Sequence, residues 1–144
     1  MIKRILLILC LFAGCTMMAQ KSGNVSGNTV TMREVPPVWP GCPQEDIQAI
    51  NACFTKNLIK HVSARFRYPE DALKNNEEGV VTVEFWIKED GTPEIQSVEG
   101  GTKSLQEASR KNILSIPKME QPGMLNGKPH KIIYTVPFTY KTGK

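Results

Sequence analysis

Apolar residues recur along this chain with two different periods, and the changes of period predict an order of elements. Spacings of three and four predict an amphipathic helix over about 45–63, carried by Ile47, Ile50, Phe54, Leu58 and Val62. A second run with the same period predicts a helix over about 103–116, which Pro117 ends. Pro69 suits the first turn of a short helix between them.

Strict alternation of apolar and polar residues predicts three strands. Val80–Lys88 alternates and is followed by an Asp-Gly turn, so Pro93–Val98 is expected to return as the second strand of a hairpin. Ile132–Tyr140 alternates as the last strand. Because proline cannot donate to a ladder, Pro137 predicts that this strand lies at the edge of its sheet.

The order helix, short helix, two strands, helix, strand predicts an α+β fold. The strands should form a three-stranded antiparallel sheet that packs against two helices on one face. The N-terminal part should be a helical extension held by a disulfide. Trp39 is expected to pack over this domain, and His61 is expected to act as a charge partner at the C-terminal end of the first helix.

The first twenty residues have the layout of a secretory signal. Lys3 and Arg4 precede an apolar run, Ile5–Ala13, and small residues follow it. This run is shorter than the roughly 20 residues that cross a bilayer. Cleavage after Ala19 would release a soluble exported protein, whereas Cys15 stands in a sequence similar to a lipobox and would be lipidated in the other reading.

The resulting organisation is a signal peptide over 1–19, a flexible linker and proline-rich lead-in over 20–41, and one domain over 42–144. Loss of Lys3 and Arg4 lowers the formal net charge of the 144-residue chain from +4 to +2. A charge this small argues against a surface that follows nucleic-acid phosphates. The signal predicts export, with a membrane-anchored lipoprotein as the alternative.

Cys42 and Cys53 would remain after export to an oxidising compartment, and we expect them to form a disulfide. A continuous helix between them would hold their Cα atoms about 16 Å apart, whereas a disulfide requires roughly 7 Å or less. The helix should therefore begin near Asp46, with residues 41–44 folding back along it. Zinc bound by these cysteines and His61 is the weaker alternative, because the spacing fits no common zinc pattern.

The chain carries no recognisable catalytic motif. It lacks a phosphate-binding glycine loop, a nucleophile elbow and a His-Glu-x-x-His sequence. Glu70 and Asp71 are adjacent, so on a helix they point apart, and a role at the helix start is expected. We therefore expect no enzyme activity, no cofactor and no metal, and we expect binding at a sheet edge instead.

The segment from Tyr68 to Tyr140 resembles the C-terminal domain of TonB, the energy transducer of Gram-negative outer-membrane transport. The matching pieces are Tyr68–Ala72, Glu78–Phe85, Lys88–Gly91, Ser115–Met119, Pro122–Gly123, Asn126–Pro129 and Tyr134–Phe138. The lead-in Pro40–Cys42 and the helical Ala52–Phe54 also look like TonB-type proteins of the Bacteroidetes.

The resemblance implies that the last strand binds a partner by strand addition. In the family, a TonB-box peptide of an outer-membrane receptor adds to this edge, and another envelope protein or a second copy of the chain are alternatives. The expected partner-binding residues are Ile132, Ile133, Tyr134, Thr135, Val136, Phe138 and Tyr140.

Two features depart from the family's pattern. The linker of about 20–25 residues spans only about 25–30 Å as a coil, too short to cross the periplasm. Met119 stands where the family usually has Trp. The function expected is therefore a periplasmic TonB-like protein that binds receptor or envelope peptides. The alternatives are an energy transducer with an uncleaved N-terminal anchor and a lipid-anchored structural module of the envelope.

Overall fold

The computed structural model describes residues 33–143. The predicted signal peptide, most of the linker and Cys15 lie outside this range. In chain order the elements are β1 Glu34–Val35, α1 Ile47–Ala64, α2 Glu70–Lys74, β2 Gly79–Ile87, β3 Pro93–Glu99, α3 Lys103–Leu114, β4 Met124–Leu125, β5 Lys128–Pro129 and β6 Ile132–Tyr140.

The main sheet has the order β3-β2-β6, and both of its strand pairs are antiparallel. β2 pairs with β6 over nine consecutive residues, from Gly79 opposite Tyr140 to Ile87 opposite Ile132. The predicted α+β class and three-stranded antiparallel sheet are confirmed, and β6 has the predicted bounds. The alternating side chains of β2 that face the helices, Val81, Val83, Phe85 and Ile87, are all fully buried.

The two long helices pack on the same face of the sheet, α1 over the first part of β6 and α3 mainly over β2 and β3. α1 lies over β6, where the Phe54 ring is 4.6 Å from the Tyr134 ring. α3 packs on β2 and β3. The helices are tied to each other where they end, because Asn112 of α3 donates to the backbone carbonyl of Val62 at 3.0 Å.

α1 begins at Ile47 because Asp46 caps it, accepting a hydrogen bond from the backbone N–H of Ala49 at 2.9 Å. The preceding residues fold back, and Cys42 and Cys53 form a disulfide with their Cα atoms 5.9 Å apart. Both the disulfide and the late start of the helix are confirmed. The disulfide fixes the lead-in against the first half of α1.

His61 differs from its expected role at the end of α1. Its ring lies 5.9 Å from the Trp39 ring, and its Nε2 is 3.0 Å from the hydroxyl of Ser115. Burial lowers the pKa of His61, and the nearby Arg65 lowers it further, against an opposing hydrogen bond with the backbone of Asn112. The neutral imidazole is therefore favoured, and it joins α1 to the end of α3.

A second, smaller sheet of order β1-β4-β5 was not predicted from the sequence. Its strands are two residues long, so they carry no readable alternation. The lead-in continues past it, with Val38 bridged to Gln121. Val38 is 2% exposed and Trp39 is 8% exposed, so the predicted packing of Trp39 over the domain is confirmed.

Candidate functional site at the open edge of β6

β6 is paired along one side only. Its neighbour is β2, and no other strand among residues 33–143 lies on its second side. A strand in this position presents unpaired backbone N–H and C=O groups, which can pair with an additional strand. The sequence prediction that Ile132–Tyr140 is an edge strand is confirmed by this topology.

Pro137 determines which backbone groups face the open side. It lies opposite Thr82 inside an unbroken ladder, and its nitrogen carries no hydrogen to donate to β2. A proline fits such a ladder where the amide points away from the paired strand. Amide direction alternates along a strand, so the N–H groups of Ile133, Thr135 and Thr139 should also point outward. The open edge therefore offers three N–H donors, with a gap at Pro137.

Several of the expected binding residues bury their side chains in the domain. Phe138 and Tyr140 are each 2% exposed. The Tyr140 hydroxyl lies 2.9 Å from the buried hydroxyl of Ser109. Burial raises the pKa of Tyr134, whose ring packs between Phe54 and Phe85. These side chains hold the strand in place, and the backbone groups of Tyr134, Phe138 and Tyr140 point toward β2. A strand added at the open edge would therefore pair with the residues between them.

The outward-facing side chains of β6 are available for contact. Ile133 is 44% exposed, and its register partner is Trp86 of β2. The ammonium group of Lys131 lies 4.6 Å from the centroid of the Trp86 ring, and the indole N–H donates to Gln96 at 2.6 Å. Trp86 and Lys131 were not among the expected site residues. The alternation of apolar and polar residues in β2 had predicted that Trp86 lies on the outer face of the sheet. This was the sequence signal that could have identified it as a site residue.

A separate polar cleft of about 970 Å³ lies between the end of α1, α2 and α3. Its acidic side chains already have partners: Ser104 donates to Asp71, and Thr102 donates to Glu77. The hydrogen bond from Ser104 is the main cause of the lowered pKa of Asp71. This cleft shares no residue with the β6 edge.

Residues 33–143 contain no cluster of three or more His, Cys, Asp or Glu side chains that could hold a metal ion. Within the same range, no helix is long and apolar enough to span a membrane. Glu70 and Asp71, as expected, lie in the first turn of α2, and both are exposed.

Comparisons with known proteins place these observations in a family. Residues 64–142, more than half of the chain, match the family model described as Gram-negative bacterial TonB protein C-terminal. Two NMR solution structures of the Helicobacter pylori TonB C-terminal domain are similar in fold. The first shares 24% identity, covers 63% of this chain and 96% of its own, and has a TM-score of 0.41. The second shares 22% identity, covers 71% of this chain and 96% of its own, and has a TM-score of 0.45. No curated protein matches the chain.

Proposed function

The chain belongs to the TonB C-terminal family, and we propose that it binds a periplasmic peptide of an outer-membrane receptor by adding that peptide as a strand to β6. Domains of this family take part in TonB-dependent transport and generally interact with outer-membrane receptors. The partner-binding residues in this proposal are those of Ile132–Tyr140, and the protein acts as a binding module without catalysis.

The uncharged, continuous edge of β6 is the observation that carries this proposal. Its nine residues include no Asp, Glu, Lys or Arg, and the register with β2 has no break. Charged side chains, prolines and bulges are the devices that block edge pairing in other proteins. β6 has Pro137 but no charged side chain and no bulge, which supports strand addition, in which backbone groups give affinity and alternate side chains give selectivity.

The test is a comparison of two substitutions at one edge position. Thr135→Pro removes an outward N–H and places a ring where the added strand would lie, without removing a donor to β2. Thr135→Val keeps the N–H and the shape of the side chain. We expect Thr135→Pro to abolish capture of an outer-membrane receptor by crosslinking in intact cells, and Thr135→Val to retain it.

Equal capture by both variants would contradict strand addition. A photoreactive side chain placed at Thr135 should form a crosslink to the receptor, whereas the same group at Gln96 on the opposite edge should not. Self-crosslinks from Thr135, with no receptor, would instead assign the edge to a second copy of the chain.

The processing of the N-terminus separates this proposal from its two alternatives. A mature protein that begins at Gln20 fits a periplasmic binding protein. An intact Met1 fits an anchored energy transducer, and a diacylated Cys15 fits a lipid-anchored envelope module. Mass spectrometry of the mature protein distinguishes the three outcomes.

A further inference from the structure

The polar cleft between the end of α1, α2 and α3 has the dimensions of a binding site for a small molecule. Its volume of about 970 Å³ lies at the upper end of the range for such sites. α3 contributes two adjacent rows of side chains, 103, 107 and 111 beside 104, 108 and 112, because residues four apart share a helix face. Much of the remaining lining comes from residues 65–71, between the end of α1 and the start of α2.

Basic side chains outnumber acidic ones in this cleft. Its basic residues are Arg65, Arg67, Lys103 and Lys111. The three carboxylates of the lining are already engaged, two by hydroxyl groups of the cleft and Glu107 by Arg110 and Lys111 at 3.9 and 4.0 Å. Within residues 33–143, no carboxylate oxygen lies within 4.0 Å of the side-chain nitrogens of Arg65, Arg67 or Lys103. These cations can therefore pair with an anionic ligand.

Asn112, which lines the same cleft, has an unsatisfied acceptor. The residue is 6% exposed, and its side-chain nitrogen donates to the carbonyl of Val62 at 3.0 Å. Its Oδ1 atom is buried and has no hydrogen-bond partner among residues 33–143. Exchanging the two amide atoms would place Oδ1 against another acceptor, so the orientation is fixed. Since a buried acceptor without a partner is costly, this atom favours a ligand that brings a donor.

Contacts between α1 and α3 bring two of the cations to the same end of the cleft as Asn112. The backbone N–H of Arg65 donates to the carbonyl of His61, whose Nε2 is 3.0 Å from the hydroxyl of Ser115, three residues after Asn112. Lys111 directly precedes Asn112. Oδ1 is closed off from the surface, so a donor can reach it only if an exposed neighbouring side chain shifts. The side chain of Lys111 is 75% exposed and can move in this way.

Arg67 adds a third positive charge to this end of the cleft. Its Nη1 donates to the carbonyls of Ala64 and Phe66, which holds the guanidinium beside the last turn of α1 and leaves other N–H groups for a ligand. The C-terminal end of α3 carries about half a negative charge, which opposes an anion. The positive charges of Arg65, Arg67 and Lys111 outweigh it.

An anion that also carries a hydroxyl group meets both requirements. A phosphate monoester has its second pKa at about 6, so near that pH much of it keeps one P–OH group. We propose that the cleft binds a phosphate group that retains one proton. Its oxygens accept from Arg65, Arg67 and Lys111, and its P–OH donates to Oδ1 of Asn112. The volume of the cleft leaves room for an organic group on the phosphate. This inference goes beyond the proposed function and does not depend on it.

The test compares four anions titrated into the isotope-labelled chain at pH 6. Glycerol 3-phosphate and inorganic phosphate carry a P–OH group, whereas dimethyl phosphate and sulfate do not. We expect the first two to shift the side-chain amide signal of Asn112 to saturation, and the other two to bind about fivefold to tenfold more weakly. Charge alone would favour sulfate, because it is the most highly charged of the four.

The same titrations identify the source of the phosphate. Tighter binding of glycerol 3-phosphate than of inorganic phosphate would support an organic monoester, and equal binding would support free phosphate. Vesicles of phosphatidylcholine with phosphatidic acid present the group as a lipid headgroup. Binding to these vesicles, but not to vesicles with phosphatidylglycerol, whose phosphate is a diester, would support a lipid.

Two variants of the protein locate the site. Arg65→Gln should weaken binding of glycerol 3-phosphate about fivefold to tenfold, and Lys111→Gln, which leaves α1 untouched, about threefold to fivefold. Arg33→Gln is the matched control, because it makes the same change of charge at a residue that does not line the cleft. It should leave binding unchanged.

Three results would overturn the inference. Sulfate that binds as tightly as phosphate would show that Asn112 receives no donor. An equal loss in Arg33→Gln and Arg65→Gln would show a response to net charge only. No saturable binding of any of the four anions would show that the cleft is not an anion site. The proposed strand addition stands or falls separately, because the cleft contains no residue of β6.

Discussion

The two outer strands of the main sheet, β3 and β6, are built very differently. β3 has seven residues, begins at Pro93, and carries Glu94 and Glu99. Its register with β2 shifts between Glu84 and Phe85, which leaves Gln96 as an extra residue in a bulge. β6 has nine residues, no charged side chain and no break in register.

The difference shows which edge is protected against pairing and which is left available. A proline at the start, acidic side chains and a bulge are the usual means of blocking an edge. β3 has all three, whereas β6 has only Pro137 in its interior. The helices repeat the contrast, because α3 packs on β3 and β2, whereas an open surface depression lies between the end of α1 and the last third of β6.

The largest expected effect on the free energy of unfolding concerns the direction of the backbone amides of β6, which alternates between β2 and the open side. Tyr134→Pro removes a donor to β2 and a buried ring, so we expect the free energy of unfolding to fall by at least about 3 kcal/mol. Thr135→Pro should cost less than about 1 kcal/mol, because its amide faces the open side. Urea denaturation of the two variants measures this difference, and equal losses would show that the alternation has been assigned to the wrong residues.

A smaller effect is expected from the link that holds α1 over β6. Replacing Cys42 and Cys53 by Ser should lower the free energy of unfolding by about 2–3 kcal/mol, since the unfolded chain regains the freedom of the closed loop. Hydrogen exchange should increase in the first half of α1 and stay unchanged in α3. An equal increase in the exchange rates of both helices would mean that the disulfide does not stabilise α1 selectively.

The smallest effect concerns His61, which joins the helix over β6 to the end of the helix over β3. Its pKa is lowered in the folded state, so below the ordinary value of 6.5 the unfolded chain binds more protons. The stability contributed by the neutral imidazole is present above that pH and is lost as pH falls through it.

Urea midpoints measured between pH 7.5 and pH 5.5 test this expectation. The wild-type chain should lose stability over the interval, and His61→Gln, which keeps a hydrogen-bonding group, should lose less. An identical pH dependence for the two chains would show that neutral His61 does not stabilise the contact between α1 and the end of α3.

The periodic parts of the chain could be predicted from the sequence with useful accuracy. The alternation of β2 and β6 and the helical spacing in α1 and α3 reflect burial of one face, which is a local property of the pattern. Pro137 indicated an edge strand, because the loss of a backbone donor is a property of the residue itself. The disulfide between Cys42 and Cys53 followed from their being the two cysteines left after export, and the short span of a disulfide predicted the late start of α1.

Only the tertiary structure decided how these elements combine into a candidate site. β1 pairs with β4 across a long stretch of sequence, and strands of two residues show no period, so the small sheet was not predicted. β4 and β5 are joined locally by the turn at Asn126 and Gly127. The burial of Tyr134, Phe138 and Tyr140 depends on helices far away in sequence. The surface depression beside the last third of β6 likewise exists because packing brings Phe66, just after α1, near Pro137. The sequence thus determined that β6 would be an edge, and the fold determined what lies beside it, because a pocket is made by contacts between distant segments.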